Sequence, residues 1–376
     1  MDYINEIYRM DDIFDFERSI AAETGIVPFN VSHWNSSKKY NDQLYTLLDI
    51  PAQAVVFDYI YSYSISKADR RRLIQMLCEQ GSEQLMTLIV QSSTIAILNV
   101  VNLLKYLQIQ KLCVLKPFYF SVASCCDSLG INYDYEYLEL QHGQPLIPFD
   151  RILSNSYDAV WITSPMFCTG NSFDNIQVGH LLYLLQAGKY VIIDESLVPS
   201  GQELLRVLPV SHYLINIYSP HKSLAVNNIK FAAILCDVMY EDFLEQWVDV
   251  FSGGLSMSNY DAVYHYMSAN FLVCDKYHTN YVCSNIKRLL QVTREFDVEI
   301  LHEPPSHYAS IRLRKTRGID SIATVSSVIK STYCSYIPGS LTGLDEYYGD
   351  TFRVNLTLSS DELYGAVGLI LSYLNA

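Results

Sequence analysis

Between residues 85 and 240 the chain alternates short apolar runs with segments of helical spacing, and no other feature limits its fold so tightly. The runs are LMTLIV (85–90), KLCVLK (111–116), AVWITS (159–164), YVIIDES (190–196), YLINIYS (213–219) and KFAAILC (230–236). They are short, rich in β-branched residues and apolar throughout, the pattern of strands buried on both faces. Between them, SSTIAILNVVNLLKYL opens on hydroxyl residues, FSVASCCDSLG ends at Gly130 and IQVGHLLYLLQAG ends at Gly188, all with helical spacing. Strands separated by helices in this way predict an α/β fold, a mostly parallel sheet covered by helices. Residues 240–300 read as long helices. Beyond 300, HYASIRLR, YCSYIPG and TFRVNLTL read as alternating strands closed by a helix, DELYGAVGLILSYL, so a smaller α/β layer is expected there, joined by the N-terminal segment. With 376 residues, two domains are expected: a large one over 46–265 and a small one from 1–45 with 266–376.

In a doubly wound sheet, ligands bind at the carboxyl ends of the strands. The residues to weigh are therefore Ser92-Ser93-Thr94, Pro117-Phe118-Tyr119, Ser164-Pro165, Asp194-Glu195 and Ser219-Pro220-His221-Lys222. Neither Gly-x-Gly-x-x-Gly nor Gly-x-x-x-x-Gly-Lys-Ser/Thr occurs, so a dinucleotide or nucleoside-triphosphate cradle is unsupported. A net charge of −14 argues against nucleic acid as a partner, while leaving room for a local pocket for one small anion. The acidic start, MDYINEIYRMDD, is unlike a secretory signal, and no apolar run is long enough to span a bilayer, so no membrane partner is expected. Nine cysteines without a Cys-x-x-Cys spacing fit buried free thiols in a reducing compartment better than a metal site or a disulfide framework. The expectation is a cytoplasmic protein without a metal.

Asp194 at the end of an apolar strand needs a reason, because a buried carboxylate is costly without a cationic partner. Lys222 follows the next run, so an Asp194–Lys222 ion pair or two ordinary loop charges would account for both residues singly. Together with their neighbours they resemble something more specific. The block SPHKSLAVNNIKFAAI is similar to the cofactor-lysine segment of the fold-type I pyridoxal-phosphate enzymes, in a class I/II aminotransferase layout like that of histidinol-phosphate aminotransferase. The resemblance runs over most of the chain, strongest over about 88–240 and again over 336–357.

It implies an aspartate aminotransferase-like fold with a seven-stranded-type sheet, and pyridoxal phosphate held by Lys222 as a Schiff base. Ser219, three residues before Lys222, and Lys230, eight after it, would grip the phosphate, with Lys230 standing where the family usually has Arg. Asp194, 28 positions before Lys222, would keep the pyridine nitrogen protonated. Tyr119 would stack on the ring, and Ser92, Ser93 and Thr94, opening a helix, would bind the phosphate. Arg353 in TFRVNLTL would take the substrate carboxylate. FNVSHWNSSKKY (29–40) resembles the stretch that passes over the substrate, which makes His33, Trp34 and Asn35 candidate contacts. FDYIYSYS (57–64) resembles the segment that lends a Tyr across a homodimer interface, with Tyr61 chosen over Tyr59 and Tyr63; a Ser from SGGLSMSNYDA (252–262) would cross the same interface.

Two positions depart from the family. Where an Asn faces the cofactor's phenolic oxygen, SPMFCTG (164–170) carries Phe167, and where a Tyr does so, DESL carries Leu197. Losing these donors disfavours the phenolate. Another group can fill in, such as His33, His221 or one of the 30 tyrosines; the enzyme can run a specialised reaction; or the pocket can bind the cofactor with little catalysis. The first expectation is an aminotransferase acting on an amino acid and possibly a 2-oxo acid. The alternatives are elimination, cyclisation or oxidation of an amino acid in specialised biosynthesis, and a non-catalytic protein with a degenerate pocket.

Overall fold

The computed structural model describes residues 2–32, 37, 39–40, 43, 70, 85–141, 144–199, 201–219, 230–252, 257–315, 317–344 and 348–376. The elements in chain order begin with α1 (Asp2–Thr24), β1 (Phe29–Asn30), β2 (Leu85–Val90), α2 (Ser93–Tyr106), β3 (Leu112–Lys116), α3 (Ser121–Leu129) and β4 (Tyr133–Tyr137). They continue with β5 (Glu139–Gln141), β6 (Gln144–Leu146), α4 (Phe149–Ser154), β7 (Ala159–Thr163), α5 (Asn175–Gln186), β8 (Tyr190–Glu195), β9 (Leu214–Tyr218) and β10 (Ala232–Asp237). Then come α6 (Glu241–Trp247), α7 (Met257–Val292), β11 (Val298–Leu301), β12 (Tyr308–Leu313), α8 (Ile322–Thr332), β13 (Cys334–Ser335), β14 (Ile337–Pro338), β15 (Thr351–Asn355) and α9 (Ser360–Asn375).

All six apolar runs form strands of one seven-stranded sheet, in the order β2-β10-β9-β8-β7-β3-β4. Neighbours from β9 through β4 pair in parallel, and β10 alone runs against β2 and β9. The sheet has the seven strands expected of it, but the seventh, β4, is not among the runs read as strands. Its sequence YDYEY is partly exposed at the sheet edge, so it lacks the apolar signature of the interior strands. Side chains alternate between two cores. Trp161, Ile192, Ile215 and Ile217 pack with the apolar faces of α2 and α3. Ile162, Ile193 and Ala233 pack on the other face with Leu181, Leu184 and Leu185 of α5.

The second sheet is antiparallel, in the order β11-β12-β15-β14. It shares a core with α8, α9 and the N-terminal segment, through Ile13, Ile20 and Val31, while β1 pairs in parallel with β13. The region read as long helices over 240–300 is mostly the 36-residue helix α7, but it ends in strand β11. Among the described residues, no helix is long and apolar enough to cross a membrane, and every described cysteine is free.

Candidate active site

The register of the parallel strands brings three residues side by side at the carboxyl end of the sheet. Asp194 on β8 lies opposite Thr163 on β7 and Ile217 on β9. Two residues earlier on each strand stand Ile192, Trp161 and Ile215, all in the core under α2 and α3. Strand side chains repeat with period two, so Asp194 and Thr163 face the same side of the sheet as α2. Asp194 is 2% exposed and enters no ion pair with a described residue. Burial holds its carboxyl above the usual carboxylate range, against hydrogen bonds from Ser196, whose amide donates at 3.0 Å and whose hydroxyl donates at 2.5 Å, both to Oδ1. A buried carboxylate whose partners among the described residues are hydroxyl and amide donors is a place for a cationic ligand group. The Thr163 hydroxyl beside it is buried and has no partner among the described residues.

The start of α2 supplies a second polar locus. Ser92 is the helix cap, its backbone extended and its hydroxyl accepting from the Ile95 amide at 3.3 Å. The Ser93 hydroxyl next to it is buried and has no partner among the described residues, whereas Thr94 is exposed. The free amides of a helix start attract an anion, and here an unsatisfied hydroxyl adds to them. Across the sheet Ser219 is buried just past β9, and its hydroxyl donates to the Phe231 carbonyl at 2.6 Å. Lys230, just before β10, is exposed.

Tyr119 is half-buried after β3 and meets the Phe167 ring edge-on at 6.1 Å. Phe167 is buried in the core on the far face, and Leu197 packs against that same core, so neither offers a hydrogen bond. Arg353 is buried on β15, 1% exposed. Its Nη2 donates to the Ser32 carbonyl at 2.6 Å, and its guanidinium carbon lies 4.7 Å from the centre of the Tyr308 ring. Ser310, its neighbour across β12, donates to the Cys168 carbonyl at 3.0 Å and so ties the second sheet to the loop after β7. Lys222, Tyr61, His33, Trp34, Asn35, His221 and residues 253–256 lie outside the described residues.

Sequence reasoning passed over Thr163, Cys168, Ser310 and Tyr308. Thr163 ends an apolar run and reads as an ordinary strand residue. The other three become neighbours of the arginine only through sheet register and a loop contact. A periodic reading of HYASIRLR would have put Tyr308 and Ser310 on one face, but not against Arg353.

The architecture, a mostly parallel seven-stranded sheet with helices and a smaller antiparallel layer, is the aspartate aminotransferase-like fold. No protein-family model and no curated protein matches the chain. Solved structures match it almost end to end. A probable N-succinyldiaminopimelate aminotransferase from Thermus thermophilus is 15% identical, with 97% of this chain and 99% of that one covered and a TM-score of 0.77. N-succinyldiaminopimelate aminotransferase from Mycobacterium tuberculosis is 16% identical, with 96% and 97% covered and a TM-score of 0.74. The PLP-bound C-S lyase from Staphylococcus hominis is 15% identical, with 93% and 92% covered and a TM-score of 0.70.

Proposed function

We propose that the chain is a pyridoxal-phosphate-dependent enzyme acting on an amino acid, in the first place an aminotransferase. The observation that carries this reading is Asp194, a buried carboxylate at the carboxyl end of β8 facing the side of the sheet where α2 starts. The cofactor offers a cationic pyridine nitrogen and a dianionic phosphate, and the two loci suit these two ends. The unsatisfied hydroxyls of Thr163 and Ser93, one at each locus, are the polar atoms such a ligand would engage.

When bound, the cofactor supplies an electron sink for negative charge at the substrate α-carbon. The chain's own residues do the rest. Asp194 would hold the ring nitrogen protonated, and its partners among the described residues are the hydroxyl and amide donors of Ser196. Ser92, Ser93, Thr94, Ser219 and Lys230 bind the phosphate, with Tyr61 lent across a homodimer interface. Tyr119 would stack on the cofactor. Lys222 carries the cofactor and moves the α-proton. Arg353 orients the substrate carboxylate, and His33 and Asn35 contact the substrate. We place the protein in the cytoplasm, which its free described cysteines suit.

A second reading keeps the cofactor and changes the outcome to elimination or cyclisation. It rests on Phe167 and Leu197, which put hydrocarbon where the resemblance calls for hydrogen-bonding partners of the phenolic oxygen. Incubation of purified, cofactor-loaded protein with amino acids, with and without a 2-oxo acid, separates the two. Transamination consumes the acceptor and yields a new amino acid. Product formed without an acceptor supports the second reading. Protein that takes up no cofactor contradicts both.

A further inference from the structure

The N-terminal segment reaches Arg353 through one buried residue. Ser32 is 0% exposed, and it bonds the arginine at both ends of its side chain. At the tip, Nη2 donates to the Ser32 carbonyl at 2.6 Å. At the base, the Ser32 hydroxyl donates to the Arg353 carbonyl and accepts from the Ile337 amide at 2.8 Å. Ile337 and Arg353 are register partners on β14 and β15, so the hydroxyl links the two strands at the arginine itself. Ser32 is fixed in turn. Its amide donates to Asn30 Oδ1 at 2.8 Å, and Asn30 Nδ2 donates to Glu17 Oε1 at 2.9 Å. The Ser335 hydroxyl donates to the same Glu17 oxygen, and Ser335 is the register partner of Asn30 in the β1–β13 pair. We infer that Ser32 is a positioning residue for Arg353, holding the guanidinium for a substrate carboxylate, and that Glu17 sets the place of Ser32 through Asn30.

The inference rests on the proposed role of Arg353. The choice of residue type follows from simple chemistry. A hydroxyl donates and accepts through one atom, which the span from the Ile337 amide to the Arg353 carbonyl requires. Alanine at 32 keeps the backbone carbonyl for Nη2 but removes that bridge from a buried place, where a lost partner is costly. At Glu17 the requirement is different. Both donors meet Oε1, so glutamine can supply the same acceptor and alanine supplies none. Backbone bonds carry the segment into place on either side of Ser32: the Val31 amide donates to the Ser335 carbonyl at 3.1 Å, and the Asn355 amide donates to the Val31 carbonyl at 2.9 Å. The side chains of Glu17, Asn30 and Ser32 then decide how that segment meets Arg353.

The test compares wild type with Ser32→Ala, Glu17→Ala and Glu17→Gln. Binding of butyrate and of 3-phenylpropionate to the holoenzyme, each against its amide, is measured by calorimetry. In wild type the carboxylates should bind more tightly than the amides. Ser32→Ala should weaken carboxylate binding roughly tenfold, with amide binding unmoved. Glu17→Ala should weaken it in the same selective way, and Glu17→Gln should restore it to the wild-type value. For an amino-acid substrate, KM should rise more than kcat falls. Should Ser32→Ala fail to fold, the two Glu17 variants decide by themselves, since loss with alanine and rescue with glutamine is the pattern expected. Alanine variants that bind carboxylates as wild type does would overturn the inference, and so would variants that lose carboxylate and amide alike. Wild-type protein indifferent to the carboxylate would overturn it too, by removing the role of Arg353. Protein that takes up no cofactor would sink the proposed function alone, because the same calorimetry on cofactor-free protein still reads the effect of Ser32.

Discussion

Arg353 lies over Tyr308, its guanidinium carbon 4.7 Å from the ring centre, while its Nη2 donates to the Ser32 carbonyl at 2.6 Å. Ring and carbonyl together hold a buried cation in place, and a guanidinium suits bidentate recognition of a carboxylate. Arg353→Lys keeps the charge and loses the fork. The expected result is a fall in kcat/KM for amino acids of about 10- to 100-fold, the worth of a charge-assisted hydrogen bond. Steady-state kinetics on an amino acid and on the amine lacking its carboxylate checks this, since the amine should be unaffected.

The two serines at the start of α2 should separate stability from ligand binding. Ser92 caps the helix, so Ser92→Ala should cost about 1 kcal/mol of stability. The Ser93 hydroxyl has no partner among the described residues, so Ser93→Ala should leave denaturation unchanged and weaken retention of pyridoxal phosphate about tenfold or less. Urea midpoints and cofactor titrations, run on both variants, measure the two effects.

Gly170 closes the loop that carries Phe167 and Cys168. Its φ is +78°, and a Cβ there would stand 2.0 Å from the Ser306 Cβ. Gly170→Ala should therefore destabilise by at least about 1–3 kcal/mol, the cost of the backbone conformation before any clash. The drop should appear in the denaturant midpoint.

Glu195 follows Asp194 and points to the opposite face. It accepts from the Leu204 amide and from Asn216 Nδ2, each at 2.5 Å. Burial, with Glu203 nearby adding to it, pushes its carboxyl up to about 8 from 4.5, against the bonds from Leu204 and Asn216. A carboxyl raised on folding binds its proton more tightly in the native state. Its contribution is full below pH 4.5 and is lost as pH rises through about 8. Glu195→Gln, which can keep an acceptor for one donor and offers an amide to Asn216, should flatten the fall in melting temperature between those two pH values. It should be more stable than wild type at the upper end by several degrees. Parallel slopes for the two proteins would contradict this.

The sequence was most legible where burial is complete. Six strands of the large sheet and the placing of Asp194 at a strand end follow from uninterrupted apolar runs. Strand β4 escaped because an edge strand is wetted on one side and YDYEY carries no such run. Strand β11 escaped because it follows a long helix after a short 3₁₀ turn, with partly exposed residues. The candidate site was legible as a list of residues at strand ends and a helix start. It was not legible as a geometry, since the contacts of Arg353 come from Ser32 and Tyr308, in distant parts of the chain.

Pyridoxal phosphate should be linked covalently to Lys222. Borohydride reduction of the cofactor-loaded protein, followed by peptide mass mapping, measures it directly. One reduced pyridoxyl adduct per chain is expected, on Lys222, and none in Lys222→Ala. An unlabelled wild-type protein, or an adduct on any other lysine, would contradict it.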